Sequence, residues 1–117
     1  MAFLTTGLVD NPPVLGVRPS SSLSVLITDN DIAEASVLVR GFFQFGNAKV
    51  LYVEELFSIG PGEVRVKDYF VADFDGFEFN FLVSSPAVAI TLWGKDAQGN
   101  LQTAHRVVAQ ELEEFDA

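Results

Sequence analysis

Apolar and polar residues alternate along most of this chain in short runs, with a period of two rather than 3.6. Leu23, Val25 and Ile27 alternate with Ser24 and Thr28 until Asp29-Asn30-Asp31 breaks the run. Ala35 to Phe45 places Val37, Val39, Gly41, Phe43 and Phe45 on one face. A Gly46-Asn47 turn then predicts a hairpin with Val50 to Phe57. Ile59-Gly60-Pro61-Gly62-Glu63 carries tight-turn chemistry, with proline presetting φ and glycine tolerating positive φ. A strand over Val64 to Phe70 follows, then a break at Asp73-Phe74-Asp75-Gly76. Phe77, Phe79 and Phe81, alternating with Glu78 and Asn80, form the clearest half-buried strand. After Ser84-Ser85-Pro86, Val88, Ile90 and Leu92 alternate up to Trp93, and a turn over Lys95 to Asn100 leads into a last strand, Leu101 to Val108. About seven strands at this spacing, with no sustained helical period, predict an all-β fold. Two antiparallel sheets packed face to face bury the three phenylalanines, Trp93 and the aliphatic faces most simply, giving a jelly-roll-like β-sandwich.

With 117 residues the chain makes one domain rather than two. Sixteen acids against seven bases leave a net charge of −9, which argues against nucleic acid and anionic membrane surfaces as partners. There is no cysteine, so disulfides and thiolate metal sites are excluded. No apolar run approaches the ~20 residues of a membrane-spanning helix, so no membrane insertion is expected. The N-terminus is a poor secretion signal. It has no basic residue before Arg18, its apolar run is broken by Thr5, Thr6 and Gly7, and Asp10 stands where a cleavage site would need small residues.

No residue pattern carries catalysis, and the expectation is that the protein is not an enzyme and uses no cofactor or metal. The one histidine, His105, lies beside Arg106 inside a predicted strand, with no nucleophile motif near it. Asp29-Asn30-Asp31, Asp73 and Asp75 offer oxygen ligands for calcium, but aspartate and asparagine also favour turns and neither run fits a twelve-residue calcium loop. Glu54 and Glu55 are strand neighbours and point to opposite faces, so they cannot act as a pair. Glu111, Glu113 and Glu114 belong to an acidic tail, Gln110 to Ala117, that reads as a helical turn or an unstructured end. Gly60-Pro61-Gly62 is too short for a phosphate loop, and alternating phenylalanines suit a core better than a sugar-stacking platform.

The N-terminal segment is the anomaly. Phe3, Leu4, Thr5, Leu8 and Val9 have the apolar, β-branched character of a strand, where a loose terminus would be polar. Pro12, Pro13 and Pro19 follow as a stiff spacer, at ~3.1 Å per residue if extended. The residues leave two destinations open: the chain's own sheet, or an edge or groove of a neighbouring molecule, as in donor-strand complementation. The second predicts a connector and spacer over residues 1–19, a sandwich over 20–109 and a tail over 110–117.

This order of connector, spacer and short all-β domain resembles the endospore appendage fibre subunits of Bacillus-type bacteria. The passage from Ile59-Gly60-Pro61-Gly62-Glu63 to Val71-Ala72-Asp73-Phe74 is similar to a Pro-Gly-Glu turn, strand and Ala-Asp-Phe run in those subunits. The resemblance implies a subunit that polymerises head-to-tail with copies of itself on a spore or cell surface. Phe3, Leu4, Thr5, Leu8 and Val9 would form the subunit interface, Pro12, Pro13 and Pro19 the spacer, and a separate anchor or tip protein would be a further partner. Assembly within a mother cell would account for the poor secretion signal. The best-known members cross-link their connectors through cysteines, so a chain without cysteine implies a non-covalent branch. The alternative is a monomeric β-sandwich binding module for carbohydrate or a protein partner, with calcium at Asp29, Asp31, Asp73 or Asp75.

Overall fold

A computed structural model describes residues 2–107 and 113–115. The strands are β1 (Ala2–Thr5), β2 (Val9–Asp10), β3 (Ser22–Asp29), β4 (Ala35–Phe45), β5 (Ala48–Ile59), β6 (Val64–Phe70), β7 (Gly76–Val83), β8 (Val88–Lys95), β9 (Leu101–Val107) and β10 (Glu113–Phe115). They form two antiparallel sheets, ordered β10-β1-β7-β4-β5, with β2 also on β7, and β6-β3-β8-β9. The chain crosses between sheets from β2 to β3, β3 to β4, β5 to β6, β6 to β7 and β7 to β8, and β10 lies in the first sheet after β9 in the second. The protein is an antiparallel β-sandwich, as its period-two pattern predicts.

The inward faces are those the alternation picks out, except that Phe45 at the end of β4 is 74% exposed and Trp93, on the face of β8 opposite Leu92, lies outside the core. Leu23, Val25 and Ile27 of β3, Val37 and Val39 of β4, Phe77, Phe79, Phe81 and Val83 of β7, and Ile90 and Leu92 of β8 are buried in one core. Gly41 sits inside β4 because Phe79 fills the space above it. A Cβ there would lie 2.7 Å from the Phe79 ring and 3.1 Å from Val53 Cβ. Beside it the β4–β5 ladder slips, with Gly41 opposite Val53 and Phe42 opposite Leu51. Tyr52 is the extra residue of this bulge. Its ring meets Phe43, Phe74 and Phe79 edge-on at centroid distances of 5.9, 4.9 and 6.1 Å.

Three expectations need correction. The tail is not simply a helical turn or unstructured end, because Glu113–Phe115 pairs with β1; Val108, residues 110–112 and residues 116–117 lie outside the described residues. The expected connector over residues 1–19 is not set apart from the sandwich over residues 2–10, because β1 and β2 lie on β7; Met1 lies outside the described residues. The spacer is not an extended strut, because Pro12 to Pro19 doubles back as a tight hairpin in which Val14 and Val17 exchange backbone hydrogen bonds of 2.7 and 3.0 Å.

Candidate functional site

Residues 2–10 form one broken strand along the edge of β7. In β1, Leu4 lies opposite Phe81 and packs against the core, while Phe3 lies opposite Leu82 on the outer face. Thr5 is buried, and its hydroxyl donates to Asn80 Oδ1 at 2.5 Å. Thr6 keeps the ladder going with both backbone and side chain: its N–H donates to the Phe79 carbonyl, and its hydroxyl accepts from the Phe79 N–H. At Gly7 the chain turns through φ +66°, which shifts the alternation by one. Val9 therefore faces the core opposite Phe77, while Leu8 is left 47% exposed. Of the interface residues expected from sequence, Leu4, Thr5 and Val9 engage the chain's own body, Phe3 lies on the outer face of the sheet, and Leu8 points to solvent.

The root of this strand is a buried polar clasp. Asn11 is fully buried. Its side-chain amide donates to the carbonyls of Ser20 and Val71 at 2.9 and 3.1 Å, and its Oδ1 accepts from the Ser20 N–H at 2.9 Å. Its backbone N–H donates to the Asp75 carbonyl at 2.8 Å. His105 closes the other side. The Asp10 carbonyl can only accept, so in the neutral ring Nε2 carries the proton and donates to it at 2.9 Å. Nδ1 then accepts from the Ser20 hydroxyl at 2.5 Å. Ser20 is fully buried, so this serine–histidine contact lies inside the clasp. Arg18 adds hydrogen bonds to the Asn11 carbonyl and to Asp75. Asn11 and Ser20 are absent from the residues that sequence reasoning singles out. Their roles depend on partners up to 85 positions away, and no local pattern carries that.

From the far side of the clasp projects the hairpin Val14-Leu15-Gly16-Val17. Leu15 is 100% exposed, and its φ is +52°, followed by Gly16 at +79°. Positive φ at both central positions is the type I′ geometry that asparagine and glycine favour, and leucine is strained there.

Two of the sheet edges, β5 and β6, lie on the same side of the sandwich and are plugged by charge. The Tyr69 hydroxyl donates to Glu55 at 2.8 Å and Lys67 pairs with Glu55 at 3.2 Å. Arg65 and Lys67 sit 5.1 and 5.0 Å from the Phe57 ring centre. Inward-pointing charges of this kind guard an open edge against further strands. The Tyr69 hydrogen bond, and then the one from Lys67, hold the Glu55 carboxyl below its ordinary value despite some desolvation. Burial first, and Glu55 second, push the Tyr69 phenol well up. Glu54 points to the other face and pairs with Arg40.

The four aspartates suggested for calcium split between the two ends. Asp29 and Asp31 lie at the end of β3, where Asp31 accepts from Ser85 and Asp29 Oδ2 is buried without a hydrogen-bond partner. Asp75 lies beside the clasp, bound to Arg18, with Asp73 on the same loop. Among the described residues no group of three or more histidine, cysteine, aspartate or glutamate side chains is placed to hold a metal ion.

No protein-family model and no curated protein matches the chain. Among solved structures it is similar to the crystal structure of Thermotoga maritima 1070, at 13% sequence identity and a TM-score of 0.49, over 97% of this chain and 89% of that one.

Proposed function

We propose that this protein is a structural subunit that assembles non-covalently with copies of itself into a surface fibre, by laying residues 2–11 along β7 of a neighbour. The observation that supports this is the modularity of that segment. Residues 2–11 bind β7 and the clasp, whereas residues 12–17 are exposed and Arg18 gives the strap its side-chain hydrogen bonds to the Asn11 carbonyl and Asp75. Every bond that β1, β2 and Asn11 make at home can be made on a second copy, provided the strap over residues 12–19 opens. Docking at home and exchange between copies are then the same contact, and the strap and the protein concentration set the balance. The guarded β5 and β6 edges are poorer acceptors than β7, whose edge carries Phe77, Phe79 and Phe81 beneath the incoming strand. The order of connector, spacer and domain, and its resemblance to endospore appendage subunits, are what suggest a spore or cell surface as the location.

Negative-stain electron microscopy of the full chain beside a version starting at Ser20 tests this reading. Filaments from the first and single particles from the second are expected. A synthetic peptide of residues 2–11 added to the shortened chain should bind it and fill the β7 edge. Single particles from both proteins, at all concentrations, would overturn the reading and leave a monomeric binding module.

A further inference from the structure

The geometry points to the Val14–Val17 hairpin as a strained hinge that drives strand exchange; this inference rests on the fibre reading above. A hinge that favours exchange is costly when closed and relaxed when open. Three features of the strap fit this. Leu15 holds a left-handed φ of +52° that its Cβ disfavours, and as it is fully exposed no packing in the closed form offsets that strain. Val14 and Val17, at 63% and 66% exposure, leave the rest of the hairpin tip in water as well. Pro12, Pro13 and Pro19 flank the hairpin and favour an extended chain, so opening turns a strained turn into a relaxed polyproline-like strap. At both ends, by contrast, the strap is rooted firmly: Asn11 and Ser20 are fully buried and bonded to each other, Asn11 also to Val71 and Ser20 also to His105. Flexibility is therefore confined to residues 12–19, and what exchanges is a defined unit ending at Asn11. Tight hinge loops under strain are a recognised route to swapping between copies.

The hinge reading predicts opposite effects from two neighbouring, solvent-exposed substitutions that leave the strand and clasp untouched. Leu15→Asn suits the left-handed position. It should hold the hairpin closed and raise the concentration needed for assembly by roughly 5–30-fold. Gly16→Val puts a β-branched residue at φ +79°, penalises the closed hairpin and should lower that concentration. Light scattering across a concentration series, with electron microscopy of the products, gives the readout. If the full chain forms filaments that the Ser20-start version does not, yet both substitutions assemble like the parent, the hinge inference is wrong and the fibre reading stands. If the full chain does not assemble at any concentration, both are overturned.

Discussion

Asn11 shows how one side chain can attach a whole segment. Its side chain ties the Ser20 N–H and the Ser20 and Val71 carbonyls together in the interior next to the strap. Alanine at this position leaves a buried N–H with no partner and two carbonyls each short of a donor. Such groups cost about 1–3 kcal/mol apiece when left unsatisfied. Asn11→Ala should therefore destabilise the monomer by about 3 kcal/mol, read from urea unfolding followed by Trp93 fluorescence. A loss below about 1 kcal/mol would mean that water replaces the amide without cost. Gly41 makes a different demand, one of space. Phe79 is fully buried and cannot move away from a new methyl group placed 2.7 Å from its ring. Gly41→Ala should cost about 1–3 kcal/mol, the usual penalty for overpacking, even though alanine suits a strand better than glycine. The same unfolding experiment decides it.

At the scale of the elements, the β5–β6 opening is held by an ion pair, two cation–ring contacts and a phenol. Glu55 is the group through which pH reaches it. Its folded carboxyl titrates below the ordinary 4.5, so the unfolded chain binds the proton more tightly. Its contribution is complete above that value and is lost as the pH falls through the lower folded one. Glu55→Gln removes this part of the acid response. Plotted against pH below 4.5, its melting temperature should fall less steeply than that of the parent. The slope should not vanish, because Asp31, Glu63 and Asp96 are also held low, each first by its own hydrogen bonds. Identical slopes would place the acid sensitivity of the fold elsewhere. What the chain's pattern reveals about such elements is uneven, and the reasons are physical. Phe77, Phe79 and Phe81 announce a strand and its buried face because period-two alternation is a local property. The leader is legible as a strand for the same reason, from Phe3 to Val9. Its partner is not, because strand pairing is written in backbone groups that every residue carries alike. The doubled-back strap was hidden by its prolines, which argue for extension, while the hairpin is closed from outside by Asn11, Ser20 and Arg18. Glu113 and Glu114 made β10 read as a tail, although edge pairing by the backbone is compatible with exposed acids. Tyr52 could not be placed from pattern at all, since the bulge that turns it inward breaks the alternation.

For the molecule as a whole, the strap limits how subunits can be arranged. The strand enters β7 with Asp10 beside Gly76, at the same end of the sandwich from which the strap rejoins the body at Ser20. In an exchanged pair, Asn11 of the donor occupies the clasp of the acceptor, next to the acceptor's own Ser20. The donor's Ser20 can then lie no farther away than the strap reaches. Nine peptide steps separate Asn11 from Ser20, and at ~3.3–3.6 Å each they span roughly 30–32 Å. The sandwich measures 48 × 29 × 22 Å. A step of that size fits neighbours set side by side across either short dimension and is too small for neighbours stacked end to end along the long axis. Connectivity can still be head-to-tail, with each chain giving its strand to the next and the long axes tilted or perpendicular to the fibre. Three-dimensional reconstruction of the filaments should thus place the Ser20 Cα atoms of donor and acceptor no more than about 35 Å apart, allowing for the width of the clasp. A Ser20-to-Ser20 separation near the 48 Å length of the sandwich would require the clasp to dissolve and residues beyond Ser20 to join the linker. That arrangement would replace Asn11 as the end of the exchanged unit, and the preserved clasp on which the hinge depends would be lost with it.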